Sequence, residues 1–310
     1  MTATIIPVGE EAAGWERALY AFLAEKEKRS GSRRTVEGYS RTLQHFFGAV
    51  GKPPDKVTCQ EVFTWAYGKG LSGKEPAAIT IGSRLACLSS FFRFLIRMQI
   101  VSANPCDQIE RPKASPSPPR GISAEGIRRL LSVIPDTPAG LRDRAIILTL
   151  VLTGRRRAEV FNLKVGDLIR SDGLFYTYRG KGGKRGKREL PLPAFEAIQE
   201  ALAAFGKDLN TMKPEESLWP SPGRDGWGIT SDTFYGNLQR YLRKAGLPPA
   251  GVHIFRHSAA KLRRDVGESV EDVSCFLDHS SLAVTTVYLR RLEGQEDRSW
   301  QKVAMALGIC

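Results

Sequence analysis

Cysteine is scarce and scattered in this chain of 310 residues. Cys59, Cys87, Cys106, Cys275 and Cys310 are odd in number and nowhere spaced as CxxC, which argues against a disulfide framework and against a thiolate zinc site. Histidine is scarcer still, at four residues. His253 and His257 have a spacing that zinc sites use, but Ile254, Phe255 and Arg256 between them provide no HExxH glutamate, so neither a metal nor another cofactor is expected. The GxSxG elbow of acyl hydrolases, a persuasive glycosidase carboxylate pair and the P-loop order are all missing. No apolar run approaches the ~20 residues of a membrane span, and no charged segment followed by an apolar one opens the chain, so a cytoplasmic protein is expected. Acidic residues are in deficit as well. The 33 Asp and Glu stand against 46 Lys and Arg, a formal charge of +13, which suits a polyanionic partner better than a small neutral substrate.

A hydrophobic fraction of 42% is ample for two folded cores in a chain of this length. Trp15, Ala18, Leu19, Phe22 and Leu23 recur at helical spacing, and the polar EKEKR run marks that helix's end. Ser32 precedes a second helix with Val36, Tyr39, Leu43 and Phe47 along one face. Thr58 with Glu61 reads as a capping box for a third, whose apolar side is Val62, Phe63 and Ala66. A fourth carries Ile81, Leu85, Leu88, Phe92 and Leu95. The polar faces hold Arg33, Arg34, Arg41, Lys74, Arg84, Arg93 and Arg97; alone, these are most simply solvated faces, although helix N-termini beside them can receive phosphate.

Residues 102–121 are proline- and serine-rich without helical or strand period, the composition of an extended linker. The expected domains are 1–110 and 122–310, with 111–121 between them. Arg111, Lys113 and Arg120 either lie against a polyanion or merely keep a hinge solvated. Ser123, Gly126, Ile127, Leu130 and Leu131 open the second domain, and Leu141 to Leu152 reads as a buried helix ending in TGRRRAE. Three adjacent arginines beside a buried helix require an anionic partner, either Glu159 or a phosphate. Two β-type segments, LFYTYR and RELPL, bracket GKGGKRGK, a hairpin whose tip carries Lys181, Lys184, Arg185 and Lys187. Phe195, Ile198 and Leu202, then Phe234, Leu238, Tyr241 and Leu242, mark two further helices, the second stopped by Gly246 and Pro248.

The stretch from His253 to Tyr288 concentrates the chemistry. His253 and Arg256 are one helical turn apart, so an imidazole and a guanidinium can meet one anion. Arginine's planar paired donors match two phosphate oxygens, the pre-placed charge that phosphoryl transfer needs. Gly267 ends that helix and Ser269 caps another carrying Val273, Phe276 and Leu277, with His279 and Tyr288 beyond. Here the chain resembles the tyrosine recombinase, or lambda-integrase-like, family across both domains. The family's TGxRxxE element matches Thr153 to Glu159, giving Arg156; its hairpin lysine falls on Lys181; its HxxRH element gives His253 and Arg256; its L-G-H histidine matches His279; its nucleophile matches Tyr288.

The resemblance implies a mainly α fold with a small β-sheet: a four-helix core-DNA-binding domain followed by an α+β catalytic domain with a C-terminal tail. It implies a site-specific DNA recombinase or integrase in which Tyr288 forms a 3′-phosphotyrosyl bond. His253 would be the general base, Arg156 and Arg256 the ligands of the non-bridging oxygens with His279 beside them, Lys181 the acid for the leaving oxygen, and Glu159 a support. Arg33, Arg34, Arg84, Arg111, Lys113 and Lys184 become candidate DNA contacts. The implied partners are duplex DNA bearing specific sites and further copies of the chain, as a tetrameric synapse on the nucleoid, without metal or ATP. A terminal helix bearing Trp300, Val303, Ala304 and Leu307 docks either on its own domain or on a neighbour. No additional arm-binding domain is evident before Trp15, which favours simple sites.

Two residues depart from the family pattern. Asp278 stands where glycine is usual and either raises the basicity of His279 or repels the phosphate. Arg157 stands where a small apolar residue is usual, leaving the choice among Arg155, Arg156 and Arg157 to alignment. A type IB topoisomerase-like enzyme and a catalytically impaired DNA-binding protein of the same fold are the alternatives.

Overall fold

The computed structural model describes residues 13–70, 73–113, 121–171, 173–180, 185–222 and 227–278. Contacts divide the chain into two compact units, Met1–Ser115 and Pro116–Cys310.

Within the first unit the described helices are α1 (Ala13–Ser30), α2 (Arg33–Val50), α3 (Cys59–Tyr67) and α4 (Ala78–Arg97). Their ends follow local chemistry. Ser32 accepts a hydrogen bond from the Thr35 backbone at the start of α2, and Gly51 closes that helix at φ 65°. Thr58 and Glu61 form the expected capping box on α3. Phe22, Phe46, Phe47, Phe91 and Phe92 meet in the core; Phe22 and Phe91 lie edge to face at 5.2 Å, a geometry that adds about 0.5–1.5 kcal/mol beyond burial alone.

Three expectations change in this unit. Val62 and Ala66, four apart on α3, are buried, whereas Phe63 lies off that face, is 44% exposed and stacks on Tyr67 at 4.5 Å. Helix α4 is long and apolar enough to cross a membrane by length and composition, contrary to the expectation that no stretch approaches that length. Its Leu85, Leu88, Phe91, Phe92 and Leu95 instead fill the four-helix core. The segment expected to leave the domain at residue 102 folds back onto it: Asn104 is buried and donates to Ser89 at 3.0 Å, and Cys106 joins the core.

The second unit contains α5 (Ala124–Ser132), α6 (Pro138–Thr153), α7 (Arg157–Phe161), α8 (Leu192–Ala204), α9 (Ser231–Lys244), α10 (Ile254–Asp265) and α11 (Val270–Phe276). Strands β1 (Leu168–Ile169), β2 (Phe175–Arg179) and β3 (Arg185–Glu189) form one antiparallel sheet in chain order. Helix α6 is the central element: it packs on α8 and α10, and its Ala145, Ile146, Ile147 and Leu150 are buried in the core that also holds Ala194, Ile198 and Ala201 of α8. Near its start the Asp143 carboxylate is fully buried; it accepts from Arg142 at 2.9 Å, from Asn237 at 2.7 Å and from the Tyr241 hydroxyl at 3.0 Å, tying α6 to α9. Burial, with the Asp143 charge beside it, pushes the Tyr241 hydroxyl up to about 12, so it stays a donor.

The hairpin register also corrects an expectation. Arg179 pairs with Arg185 and Tyr178 with Gly186, so Arg185 and Lys187 belong to β3 and not to the tip. Lys187 lies over the Phe175 ring at 4.6 Å. Lys181 and Lys184 lie outside the described residues.

Candidate active site

Three backbone junctions converge here: the turn from α6 to α7, the start of α10 and the end of α11. Helix α6 stops because Gly154 takes φ 61°. An added Cβ there would sit 2.4 Å from the Phe276 ring, so a side chain is excluded both by conformation and by the close approach of α11. The chain then turns through Arg155 and Arg156 into the single-turn helix α7.

Arg256 is 2% exposed and holds the junctions together. Its guanidinium donates to the Gly154 carbonyl at 2.7 Å and to the Leu277 carbonyl, joining the end of α6 to the end of α11. His253 occupies the N-terminal boundary position of α10, one turn before Arg256, without a capping side-chain hydrogen bond. Burial lowers its imidazole below the ordinary 6.5, and the positive charges of Arg256, Arg156 and Arg157 lower it further, which brings four of the sequence-selected or adjacent groups into one electrostatic neighbourhood. His253 and His257 stand edge to face at 5.4 Å. At neutral pH His253 is uncharged and able to accept a proton.

The three arginines separate by environment. Arg156 is about a third exposed and is anchored at one end, where Glu159 accepts from its guanidinium at 2.9 Å and from its backbone N–H at 2.9 Å. Arg157 is half-buried in the first turn of α7. Arg155 is 1% exposed and turned inward. It donates to the Tyr178 hydroxyl at 2.7 Å, to Asp278 and to the Phe276 carbonyl. The need for an anion beside this arginine run was legible in the sequence; two anions answer it, Glu159 for Arg156 and Asp278 for Arg155.

Asp278 is therefore a partner of arginine. Arg188 donates to its second oxygen at 2.6 Å, and the Tyr178 hydroxyl donates to the oxygen that Arg155 shares. Burial alone would raise this carboxyl, but Tyr178, Arg188 and Arg155 overcome it and hold the group at about 2. The negative charge faces two guanidiniums and is offset within the fold. Arg155, Tyr178 and Arg188 were missed as site neighbours because partners 123, 100 and 90 positions from Asp278 leave no periodic trace.

His279 and Tyr288 lie outside the described residues, as does Trp300 with its terminal stripe. Among the candidate DNA contacts, Arg33 is exposed and pairs with Glu37 at 3.1 Å; Arg34, Arg111 and Lys113 are exposed. Arg84 has a different task. Its guanidinium donates to the carbonyls of Ala66 and Gly68 at 2.9 Å and so caps the end of α3, which explains its position without a nucleic acid.

Residues 120–294 match the phage integrase family. The chain belongs to that family. With it come the tyrosine-type site-specific recombinases. This recombinase is 29% identical over 266 residues to tyrosine recombinase XerD of Listeria innocua serovar 6a, covering 83% of this chain and 88% of the relative. It is 27% identical over 280 residues to XerD of Rhizobium meliloti, covering 86% and 88%. Among solved structures it superposes on XerH recombinase bound to a palindromic difH substrate with a TM-score of 0.67 at 19% identity, covering 94% of this chain and 83% of that one. Lambda integrase bound to a COC′ core site gives 0.65 at 19%, covering 89% and 96%. These likenesses establish the recombinase fold, mainly helical with a small sheet.

Proposed function

We infer that the recombinase cuts and rejoins duplex DNA at specific sites through a 3′-phosphotyrosyl intermediate on Tyr288. The convergence of Arg256, Arg156 and a neutral His253 at the α6–α7 turn and the start of α10 carries this reading. As attack occurs, the Tyr288 oxygen forms a bond to phosphorus and its proton passes to His253. This help is needed because an unperturbed tyrosine titrates near ~10. Arg156, held by Glu159, and Arg256 bind the non-bridging oxygens, His279 adds to that charge, and Lys181 protonates the departing 5′-oxygen. The phosphotyrosyl ester conserves the energy of the broken bond, so a 5′-hydroxyl from a second duplex reverses the step without ATP. Exchange between two duplexes calls for several copies of the chain, which we take to be a tetramer assembled on DNA in the cytoplasm. XerH and lambda integrase, bound to their DNA sites, support DNA as the partner here.

The test uses a supercoiled plasmid library with random inserts, quenched in detergent so that only covalently held DNA is retained on a filter. The wild-type chain is expected to retain DNA and Tyr288→Phe is not. Tight binding at low salt without any covalent retention by the wild type would overturn the reading.

The lowered His253 also sets a pH dependence. Because its value in the folded protein lies below 6.5, the imidazole stays neutral through pH 7 and gains a proton only as pH falls below that ordinary value. Adduct formation should therefore be flat near neutrality and decline on the acid side, with its midpoint under 6.5. His253→Ala should be slow at every pH and lose that limb. A profile centred above 6.5 would remove His253 from the base role.

A further inference from the structure

The left-handed backbone of Asp278, at φ 50°, is a conformation that a non-glycine residue adopts at a cost of roughly 1 kcal/mol or more. Something must hold it there. Its side chain reaches both strands of the hairpin, through Tyr178 on β2 and Arg188 on β3, and the α6–α7 turn through Arg155. Arg188 also donates to the Cys275 carbonyl at 3.3 Å, and Arg155 to the Phe276 carbonyl, so both guanidiniums grip the last turn of α11 by backbone and side chain together.

The surroundings are shaped for this contact. Arg155 lies over the Tyr178 ring at 4.8 Å, and the ring has room to reach it because residue 186 on the paired strand is glycine: an added Cβ there would be 2.4 Å from Tyr178. A guanidinium at 1% exposure without its carboxylate would be an unpaired buried charge, whereas Asp278 without Arg155 keeps Arg188 but loses its side-chain link to the α6–α7 turn.

We propose that Arg155 and Asp278 are a matched pair of positioning residues that fasten the hairpin strands to the end of α11, fixing the chain at the residue that immediately precedes His279. The same clamp holds β2, whose chain runs on toward Lys181. Its consequence for catalysis rests on the roles given above to His279 and Lys181. Neither Arg155 nor Asp278 touches the DNA in this account; they set where two groups that do so are delivered. Removing Asp278 leaves a buried guanidinium without its carboxylate, and removing Arg155 leaves Asp278 held from the hairpin side only. Removing both leaves an apolar side chain on the Tyr178 and Phe276 rings and a glycine suited to φ 50°, with Arg188, 42% exposed, turned to solvent.

The experiment compares Asp278→Asn, Arg155→Leu and the double variant Arg155→Leu/Asp278→Gly in the full chain. Asp278→Asn is the conservative member, since asparagine accepts a left-handed backbone and the Asp278 side chain is 30% exposed. Two readouts are taken: the single-turnover rate of covalent adduct formation on the duplex captured by wild type, across DNA concentrations, and amide hydrogen exchange without DNA. Each single variant should slow the rate at saturating DNA by about tenfold or more while the half-saturating DNA concentration stays within about twofold, as expected for misplaced reacting groups. The double variant should be faster than either single one, because the pair is coupled. Exchange should rise jointly in residues 185–189 and 270–278 for each single variant. Unchanged rates in both single variants, or a double variant as slow as the product of the two, would overturn the pairing. If wild type forms no adduct at all, the Tyr288 reading fails while exchange still decides the clamp: joint loosening upholds it, and unchanged exchange sinks it.

Discussion

Arg256→Ala is expected to cut covalent adduct formation by roughly 10²–10³-fold or more, the loss seen when one pre-placed donor to a developing oxyanion is removed. The variant should also melt lower. Arg256 is buried and joins the carbonyls of Gly154 and Leu277, and each carbonyl left without its donor costs about 1–3 kcal/mol. Arg256→Lys separates the two effects. A lysine retains the charge and three donors for the two carbonyls but loses the planar paired donors that would face an anion at the same time, so it should recover part of the melting temperature and little of the rate. Comparing melting curves with adduct rates for both variants checks this. Near-normal catalysis in Arg256→Lys would show that charge alone suffices and that the bridging geometry is incidental.

The largest expected loss of stability lies away from the site. Asp143→Ala removes the carboxylate that Arg142, Asn237 and Tyr241 share. Arg142 is 3% exposed and Asp143 fully buried, so the variant leaves a buried guanidinium with only the Pro220 carbonyl to accept from it among the bonds described. Breaking a buried pair in this way typically costs 3–5 kcal/mol, which for a unit of this size corresponds to a fall in Tm of about 10 °C. Asp143→Asn, which retains the shape and one acceptor, should lose less. A loss under about 1 kcal/mol in Asp143→Ala would mean that α6 and α9 are held by apolar packing alone.

These two residues mark the limits of what the sequence disclosed. Helical faces were legible because periodicity is local: Phe22, Leu43, Val62, Leu85, Ile198 and Leu238 all point inward as their spacing predicts. The capping signals at Thr58 and Ser269 were legible for the same reason. Phe63 was misread because hydrophobicity does not say which side of a short helix meets the core, and its ring finds Tyr67 instead. The hairpin was recognised but its register was not, since Arg185 and Lys187 look like turn residues until they are paired with Arg179 and Thr177.

The site divided along the same line. Arg256 and His253 stood out through a short, ordered motif. Asp278 stood out only as an odd residue, and its meaning lay in Arg155, which the arginine run offered without distinguishing it from its neighbours. A single sequence carries no sign that positions 155 and 278 meet; that contact exists only once α6, the sheet and α11 have packed. The fold thus joins one departure from the expected pattern, Asp278, to an arginine that the run left unassigned, Arg155.

The central claim is that Tyr288 becomes covalently joined to DNA, and it is tested most directly by digesting the captured adduct and locating the nucleotide-bearing peptide by mass spectrometry. The nucleotide is expected on Tyr288, one of eight tyrosines in the chain, with the released DNA end carrying a 5′-hydroxyl that accepts label from a polynucleotide kinase without prior phosphatase treatment. A nucleotide attached to any other residue, or a released end bearing a free 3′-hydroxyl, would contradict the account.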